Sequence, residues 1–352
     1  MKSSGIGGQA VMEGVMMKNG DKYAVAVRKP DQEIEVQVNE YVSLQKRYPV
    51  LRFPIIRGVA AFIESMIIGI KTLTYSSSFY EEEVQKEKTK KQEFVSNFLL
   101  IFTSVALAIG IFMIIPYFAS RFLGKRIESQ GVLNLIEGAI RIVLFVGYIL
   151  AISLMQDIKR VFMYHGAEHK SINCIEHGLE LTVENVRRSS KEHKRCGTSF
   201  MFLVMFISII FFMFIRVESP VLRLVYRIVL VPVVAGVSYE FIKLAGSSDS
   251  LFVRIISRPG LWLQGLTTKE PDDQMIEVAI RSVEAVFDWR EYLEENFSDA
   301  KTQKKHSEKT DAGSKNKKPV KNNRETVDFK DAELEELEEI IRNQEKKAEK
   351  NH

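Results

Sequence analysis

The chain has 352 residues and a formal net charge of +4, from 49 basic and 45 acidic side chains. Because the basic residues are mixed with nearly as many acids and form no stripe with interleaved aromatics, the composition gives no reason to expect nucleic acid as a partner. Two cysteines do not make a disulfide framework, so they are expected to be reduced thiols or metal ligands. The first 95 residues hold no apolar stretch followed by a small-residue cleavage site, so no removable secretory signal is predicted.

Residues 1–53 are expected to form a glycine-rich loop followed by a small β-hairpin. Residues 5–20 contain Gly5, Gly7, Gly8, Gly14 and Gly20, which favours a flexible loop. A phosphate cradle is disfavoured because the preceding strand and the Lys-Ser/Thr ending are both missing. Apolar and polar residues then alternate over 23–27 and 34–38, with Pro30-Asp31 between the two runs, which predicts the hairpin.

Residues 54–97 are expected to hold an interfacial or re-entrant helix and a solvated charged helix. The apolar run 55–73 is interrupted by Arg57, Glu64 and Lys71, so it is a poor spanning segment. Its large side chains recur at helical spacing at Phe62, Met66, Ile70 and Leu73. The run 81–93 is dominated by charged residues.

Four later stretches approach the ~20 apolar residues that are needed to cross ~30 Å of hydrocarbon. They are 98–118, 133–155, 198–215 and 221–245. The predicted fold is therefore mainly α, a polytopic membrane protein with about four transmembrane helices in two hairpins, 98–155 and 198–245. The lipid bilayer is its first expected partner.

Three charged residues within these stretches are expected to face the bundle rather than lipid, namely Glu137, Arg141 and Glu240. An internal structural ion pair is the preferred interpretation over a transport path. A transporter is disfavoured because four spans make a small pathway unless the chain forms a homo-oligomer.

The charge of the connecting segments predicts the orientation. Segment 156–197 contains eight basic residues: Lys159, Arg160, Lys170, Arg187, Arg188, Lys191, Lys194 and Arg195. By the positive-inside rule this segment and both chain termini are cytoplasmic, which predicts a multi-pass protein of a bacterial inner membrane.

The chemistry is expected in this same segment, which begins with the pattern H-x-x-E-H at His165, Glu168 and His169. If the second span continues as a helix past the membrane surface, the two imidazoles are an i, i+4 pair and project side by side. Such a pair suits a divalent metal, with Zn²⁺ the first candidate. Glu168 is then placed to act as a general base on a water molecule.

A third ligand is needed, and residues just before the third span can supply it. His193 and Cys196 are the main candidates, with Glu176 and His177 as competitors. A structural zinc site takes four protein ligands, whereas a catalytic site leaves one position open. Cys174 is expected to pack as a small apolar residue, and Gly178 to end the helix.

Segment 246–290 is expected to carry cytosolic amphipathic structure. Residues 257–264 contain Pro259-Gly260 and Trp262, which predicts a turn with an aromatic suited to the headgroup region. Residues 272–287 have apolar side chains at helical spacing and acids in the first turn, which predicts an amphipathic helix. Residues 291–352 are too polar to build a core and are predicted to be a disordered charged tail.

Four motifs in order resemble those of the YqhQ-type bacterial membrane proteins. They are GGQAVMEGVMM at 7–17, HGAEH at 165–169, RCGTSF at 195–200 and LTTKEPDD at 266–273. The resemblance covers roughly residues 5–287. It implies a membrane location and a predicted metal-dependent enzyme, but no substrate.

The match departs from the family pattern at one position, where Lys194 stands in place of an expected proline and loosens the turn before Cys196. The inverted zinc peptidases share H-x-x-E-H with this chain but take a distant glutamate in a large soluble domain, so neither their activity nor their fold is transferred.

The leading hypothesis is a membrane-embedded, metal-dependent enzyme, hydrolytic in type, with its site on the cytosolic face. His165 and His169 are the ligands, His193 or Cys196 completes the set, and Glu168 is the base. The N-terminal loop with Glu13, and the Asp272-Asp273 turn, are expected to line the site. The main rival is a non-enzymatic assembly or regulatory factor that docks another membrane protein and holds a structural metal or none.

Overall fold

The computed structural model describes residues 3–80, 90–124, 127, 129–193, 195–215, 217, 219–247 and 250–297. Most of the charged run 81–93, Lys194 and the tail beyond residue 297 lie outside the described residues, and the interpretations placed on them stay predictions. The predicted disorder of 291–352 is wrong for 291–297, which are helical, with Tyr292 and Leu293 buried.

A four-stranded antiparallel sheet opens the chain, in the order β1-β2-β3-β4. The strands are β1 (Gly7–Val11), β2 (Gly14–Asn19), β3 (Lys22–Arg28) and β4 (Ile34–Glu40). The predicted hairpin is the β3–β4 pair, in which Ala26 lies opposite Val36. The expected flexible loop is wrong, because residues 7–19 form two further strands. Gly14 is needed there, since a Cβ atom would lie 2.3 Å from the carbonyl oxygen of Ala26.

The other regular elements of the described chain are helical. They are α1 (Leu44–Arg47), a 3-10 turn (Pro49–Arg52), α2 (Ile56–Ser77), α3 (Lys90–Ile109), a π-helical stretch (Gly110–Ile114), α4 (Ile115–Leu123), α5 (Gln130–Ile152), α6 (Gln156–Glu176), α7 (Val183–Arg188), α8 (Gly197–Met213), α9 (Pro220–Ser247), α10 (Leu251–Thr267), α11 (Asp273–Glu284) and a final helical stretch at 289–297.

Three helical stretches in the described chain are long and apolar enough to cross a membrane: Phe98–Leu123, Gly131–Ile152 and Val225–Gly246. The fourth predicted span corresponds to α8, which is apolar but has 17 residues. At 1.5 Å per residue that is about 26 Å of helix, slightly less than the ~30 Å hydrocarbon layer. The mainly helical fold and the membrane-protein class are as predicted.

The sheet lies between two layers of helix. One face packs on α6 and α11, with Val15, Met17 and Ala26 buried among apolar side chains of those helices. The opposite face packs on α2, where Ile68 meets Val11 and others. The sheet therefore fixes α6, the helix that carries the H-x-x-E-H motif, relative to α2.

Helix α2 is one unbroken helix, and it turns a different face inward from the one its large side chains suggest. Its buried residues are mostly small or polar: Gly58, Ala60, Glu64, Ile68, Gly69, Thr72 and Ser76. The predicted apolar face of Phe62, Met66, Ile70 and Leu73 is exposed.

Of three expectations about helix boundaries, two are wrong and one is confirmed. Residues 257–264 form no turn, because α10 runs through Pro259-Gly260 without interruption. Helix α11 is confirmed, with Asp272 as its N-cap, accepting a hydrogen bond from the Met275 backbone N–H at 2.8 Å. The second span does not continue into the motif, because α5 ends at Ile152 and α6 begins at Gln156.

A buried ion cluster joins the candidate spans. Glu137 lies 3.0 Å from Arg141 one turn further along α5, and its other oxygen accepts from Arg227 of α9 at 2.8 Å. All three side chains are almost fully buried. The preferred interpretation of an internal ion pair is confirmed for Glu137 and Arg141. Glu240 instead pairs with Arg57 of α2.

Candidate metal centre

The two histidines of the motif lie side by side on α6. Their ring centroids are 4.4 Å apart, as the i, i+4 spacing predicts.

Helix α6 ends where it was expected to end. Gly178 has a φ of 80° and its N–H donates to the Ile175 carbonyl, while the Leu179 N–H donates to the Cys174 carbonyl.

Backbone carbonyl groups orient both imidazoles. Nδ1 of His165 lies 3.0 Å from the carbonyl oxygen of Thr267, and Nδ1 of His169 lies 2.7 Å from that of Lys191. Because a carbonyl oxygen can only accept, each Nδ1 carries a proton, and in a neutral ring Nε2 is then the nitrogen whose lone pair can bind a metal. This is the orientation in which outer-shell groups hold metal-binding histidines.

Cys196 completes a group of three potential ligands. Its sulfur lies 3.2 Å from Nε2 of His165, and the ligand atoms of His165, His169 and Cys196 all lie within 4.8 Å of one another. Cys196 is the N-cap of α8, where its sulfur accepts from the Thr198 backbone N–H. Three donors of this kind, converging from two helices, could hold one metal ion.

The segment between α6 and α8 is bound back onto α6 by side chains of α6 itself. The Asn173 amide donates to the carbonyls of Ser190 and Glu192 at 2.7 and 2.8 Å. The Lys170 ammonium donates to the carbonyls of Arg187 and Ser189. These bonds return the chain along α6 and bring Cys196 to the histidine pair.

His193, the alternative third ligand, lies near the pair, with its ring centroid 5.7 Å from that of His169, but outside the group of three. Its Nε2 is 3.5 Å from Oε2 of Glu176, and its backbone N–H and carbonyl are both bound by the amide of Gln264. Burial lowers the pKa of His193, although the Glu176 carboxylate opposes this shift. The choice that the sequence left open therefore falls on Cys196.

The competitors proposed for the third position are also engaged. Glu176 accepts from the backbone N–H and hydroxyl of Ser4 and pairs with Arg195. Burial opposes ionisation of Glu176, but the neighbouring His193 ring, the hydrogen bonds from Ser4 and the charge of Arg195 outweigh it and lower its pKa to about 2. His177 caps the helix, with Nδ1 2.7 Å from the Asn173 carbonyl.

The cysteine outside the group is a core residue. Cys174 is fully buried among apolar side chains, as predicted. Burial raises the pKa of its thiol to about 11, so this sulfur stays protonated at neutral pH.

Glu168 lies beside the three ligands without joining them. Its Oε2 is 3.9 Å from Nε2 of His165, and the residue is 5% exposed. Burial raises the pKa of Glu168 to about 7, although His165 and the backbone N–H of Gly8 oppose the shift. A buried carboxyl with this pKa can exchange a proton near neutral pH.

Strand β1 covers Glu168, and sequence reasoning missed this role. A Cβ atom on Gly8 would lie 2.7 Å from Cγ of Glu168 and 2.8 Å from the Met16 carbonyl oxygen. Glycine at this position therefore allows the strand to lie directly against the carboxylate. The sequence signal was the Gly7-Gly8 pair, which was interpreted as loop flexibility.

Other residues expected to line the site lie outside it. Glu13 is bound to Arg160 and to the Tyr164 hydroxyl. Asp272 caps α11, and Asp273 pairs with Arg187. The expectations for Glu13 and for the Asp272-Asp273 turn are therefore wrong, and residues of strand β1 line the site instead.

A polar cavity of about 340 Å³ opens onto the three ligands. Besides His165, His169, Cys196 and Glu168, it is lined by strand β1 and by two basic residues, Lys18 and Arg195. The ligands are thus accessible to a small polar group or to water.

Comparison with known proteins assigns the family. The family model described as "Protein of unknown function (DUF1385)" matches residues 53–289. The chain belongs to the DUF1385 family. A relative, the "Uncharacterized protein YqhQ" of Bacillus subtilis (strain 168), is 37% identical over 286 residues, which cover 78% of this chain and 90% of that protein. The resemblance to YqhQ-type proteins is therefore confirmed, and neither description states an activity. No solved structure matches this DUF1385 chain.

Proposed function

We propose that this chain is a membrane-embedded, metal-dependent hydrolase with its site at the cytosolic face. One observation carries the proposal. The imidazoles of His165 and His169, each oriented through Nδ1 by a backbone carbonyl, converge with the Cys196 sulfur. The buried carboxylate of Glu168 lies 3.9 Å from Nε2 of His165.

The donors fit a divalent metal of the zinc type. Imidazole nitrogen and thiolate sulfur are donors that Zn²⁺ prefers, and catalytic zinc sites have three protein ligands drawn from such donors and carboxylates. The described residues bring three ligands together, and His193 is held by Glu176 and Gln264. Three protein ligands leave a coordination position open, which favours a catalytic over a structural site.

Glu168 is assigned the proton-transfer role. When bound, a divalent metal acts as a Lewis acid and lowers the pKa of water. In the hydrolysis that we propose, the water oxygen forms a bond to the acyl carbon or phosphorus of the substrate, and its proton passes to a carboxylate oxygen of Glu168. The bond to the leaving group breaks, and Glu168 returns that proton to the leaving atom.

The arrangement of the helix ends supports α8 as a fourth crossing. The Asn134 side chain near the start of α5 donates to the Phe212 carbonyl near the end of α8. At the opposite ends, Gly246 of α9 lies against Arg195, which precedes α8. Helices α8 and α9 are therefore antiparallel neighbours beside α5, and the basic segment between α5 and α8 lies on one side. The positive-inside rule makes that side cytosolic.

The test combines metal content with function. Purified wild type should contain about one divalent metal per chain, and His165→Ala should lose it. Glu168→Gln should retain the metal and fail to complement a deletion of the gene. Full complementation by Glu168→Gln would contradict the catalytic role and favour the rival, a non-enzymatic assembly factor with a structural metal.

A further inference from the structure

A second, larger cavity lies next to the candidate metal centre. It measures about 570 Å³, within the range of roughly 300–1,000 Å³ that is usual for small-molecule sites. Its walls come from strand β1 and from helices α2, α6, α8, α9 and α10. Most of its lining surface is apolar, and the apolar side chains include Ala61, Phe62, Phe162, Phe200, Met201 and Ile242.

This apolar cavity meets the polar cavity at the ligands themselves. His165, Glu168 and Cys196 line both. Strand β1 and Arg195 border both cavities, Lys18 lines only the polar one, and the aromatic and aliphatic groups line only the other. A molecule that fills both cavities has its polar end at the metal ligands and its apolar part on the opposite side.

The apolar cavity lies at one end of the span Val225–Gly246 and of α8, and apolar side chains at its rim are partly exposed. Tyr239 and Ile242 belong to the last two turns of the span Val225–Gly246, and Met201 to the first turns of α8. Phe62 and Met201 are 37% and 46% exposed although they are apolar. Phe62 of α2 contacts Phe200 of α8 with ring centroids 5.6 Å apart, so α2 covers one side of the cavity.

We infer that the substrate of this centre is a long-chain amphiphile of the membrane, whose apolar chain occupies the cavity between α2, α8 and α9 and whose polar end carries the bond to be cleaved. The inference rests on the proposed hydrolase function. A small polar metabolite would leave an apolar cavity with open access exposed to water, which is unfavourable. An amphiphile drawn from the bilayer fills it without crossing the aqueous phase.

The test measures binding rather than turnover. The full chain, purified in detergent and loaded with Co²⁺, should show the visible absorption of a cobalt–thiolate site. Alkyl hydroxamates serve as probes because their head binds metals. From acetohydroxamate to octanohydroxamate, six added methylenes should raise the apparent affinity roughly tenfold or more, because each buried methylene is favourable.

Matched variants locate the chain of the probe. Ala61→Trp fills the cavity and should abolish the rise with chain length while leaving acetohydroxamate binding unchanged. Ile67→Trp, on the exposed apolar face of the same helix, should behave as wild type. Met201→Trp is the second filling variant if Ala61→Trp fails to fold. All proteins are compared at one detergent concentration, so that partition of the probes into micelles is the same.

The two ways to fail are distinct. A wild type with no cobalt–thiolate absorption would overturn the proposed function, and the inference with it. A normal cobalt spectrum with the same chain-length dependence in wild type, Ala61→Trp and Met201→Trp would overturn the inference alone.

Discussion

The sulfur of Cys196 lies 3.2 Å from Nε2 of His165, although 31 residues separate the two in the chain. The thiol was one of the two main candidates for the third ligand, and it is the one that the fold groups with the histidine pair. His193 is only three residues earlier, but its ring faces Glu176.

Cys196→Ser should lower metal affinity by a large factor, about a hundredfold or more, because a serine hydroxyl is a poor ligand for a zinc-type ion. Metal content of the purified protein, measured by mass spectrometry, reads this out. His193→Gln is the control and should keep its metal, because His193 lies outside the ligand group. Loss of metal in His193→Gln with retention in Cys196→Ser would reverse the assignment.

Gly8→Ala should displace Glu168 without removing the ligands. The new Cβ atom would lie 2.7 Å from Cγ of Glu168, and such overpacking costs about 1–3 kcal/mol. We expect a lower melting temperature in detergent, lost complementation and retained metal. Gly7→Ala is the matched control, because a Cβ atom there meets nothing within 4 Å. Equal behaviour of the two variants would contradict the covering role of β1.

The ionised Glu176 carboxylate should make stability depend on acid pH. Its pKa in the folded protein is about 2, below the ordinary value of 4.5. A depressed carboxyl pKa contributes stability that is complete above about pH 4.5 and is lost as the pH falls toward 2, in total on the order of 3 kcal/mol.

As the pH falls from 6 to 2.5, the melting temperature should therefore decline more steeply for wild type than for Glu176→Gln. Glu192→Gln, an exposed position in the same segment, should follow wild type. Parallel curves for wild type and Glu176→Gln would show that the carboxylate contributes nothing through its ionisation.

Glu137→Gln should be strongly destabilising. It leaves Arg141 and Arg227 buried without their common carboxylate, and breaking a buried ion pair typically costs about 3–5 kcal/mol. The melting temperature in detergent is the measurement. Glu277→Gln removes a partly exposed pair with Arg28 and should change stability by less than about 1 kcal/mol. A mild effect at Glu137 would show that the cluster is not a structural element of the bundle.

Features set by neighbouring residues were predictable from the sequence. The His165–His169 pair follows from helical spacing, the end of α6 from Gly178, and the start of α11 from Asp272. The spans follow from their apolar runs, with α8 shorter than expected. In each case the signal and the structure lie within a few residues of each other.

Features set by tertiary contacts were not predictable. The third ligand depends on the bonds that Asn173 and Lys170 make to distant carbonyls. The carbonyls of Thr267 and Lys191 have no sequence signature, because every residue carries one. Strands β1 and β2 were missed because their glycines were weighed as loop formers, whereas Gly8 and Gly14 are required by close contacts. The break after α5 contains neither glycine nor proline.

The bond from His165 to the Thr267 carbonyl spans 102 residues of sequence. During synthesis the motif on α6 leaves the ribosome well before α10 does. Until α10 is in place the ring of His165 lacks its orienting partner, and the candidate metal centre is incomplete. A nascent or truncated chain that ends before Thr267 should therefore hold an ion weakly, which links maturation of the centre to completion of the membrane bundle.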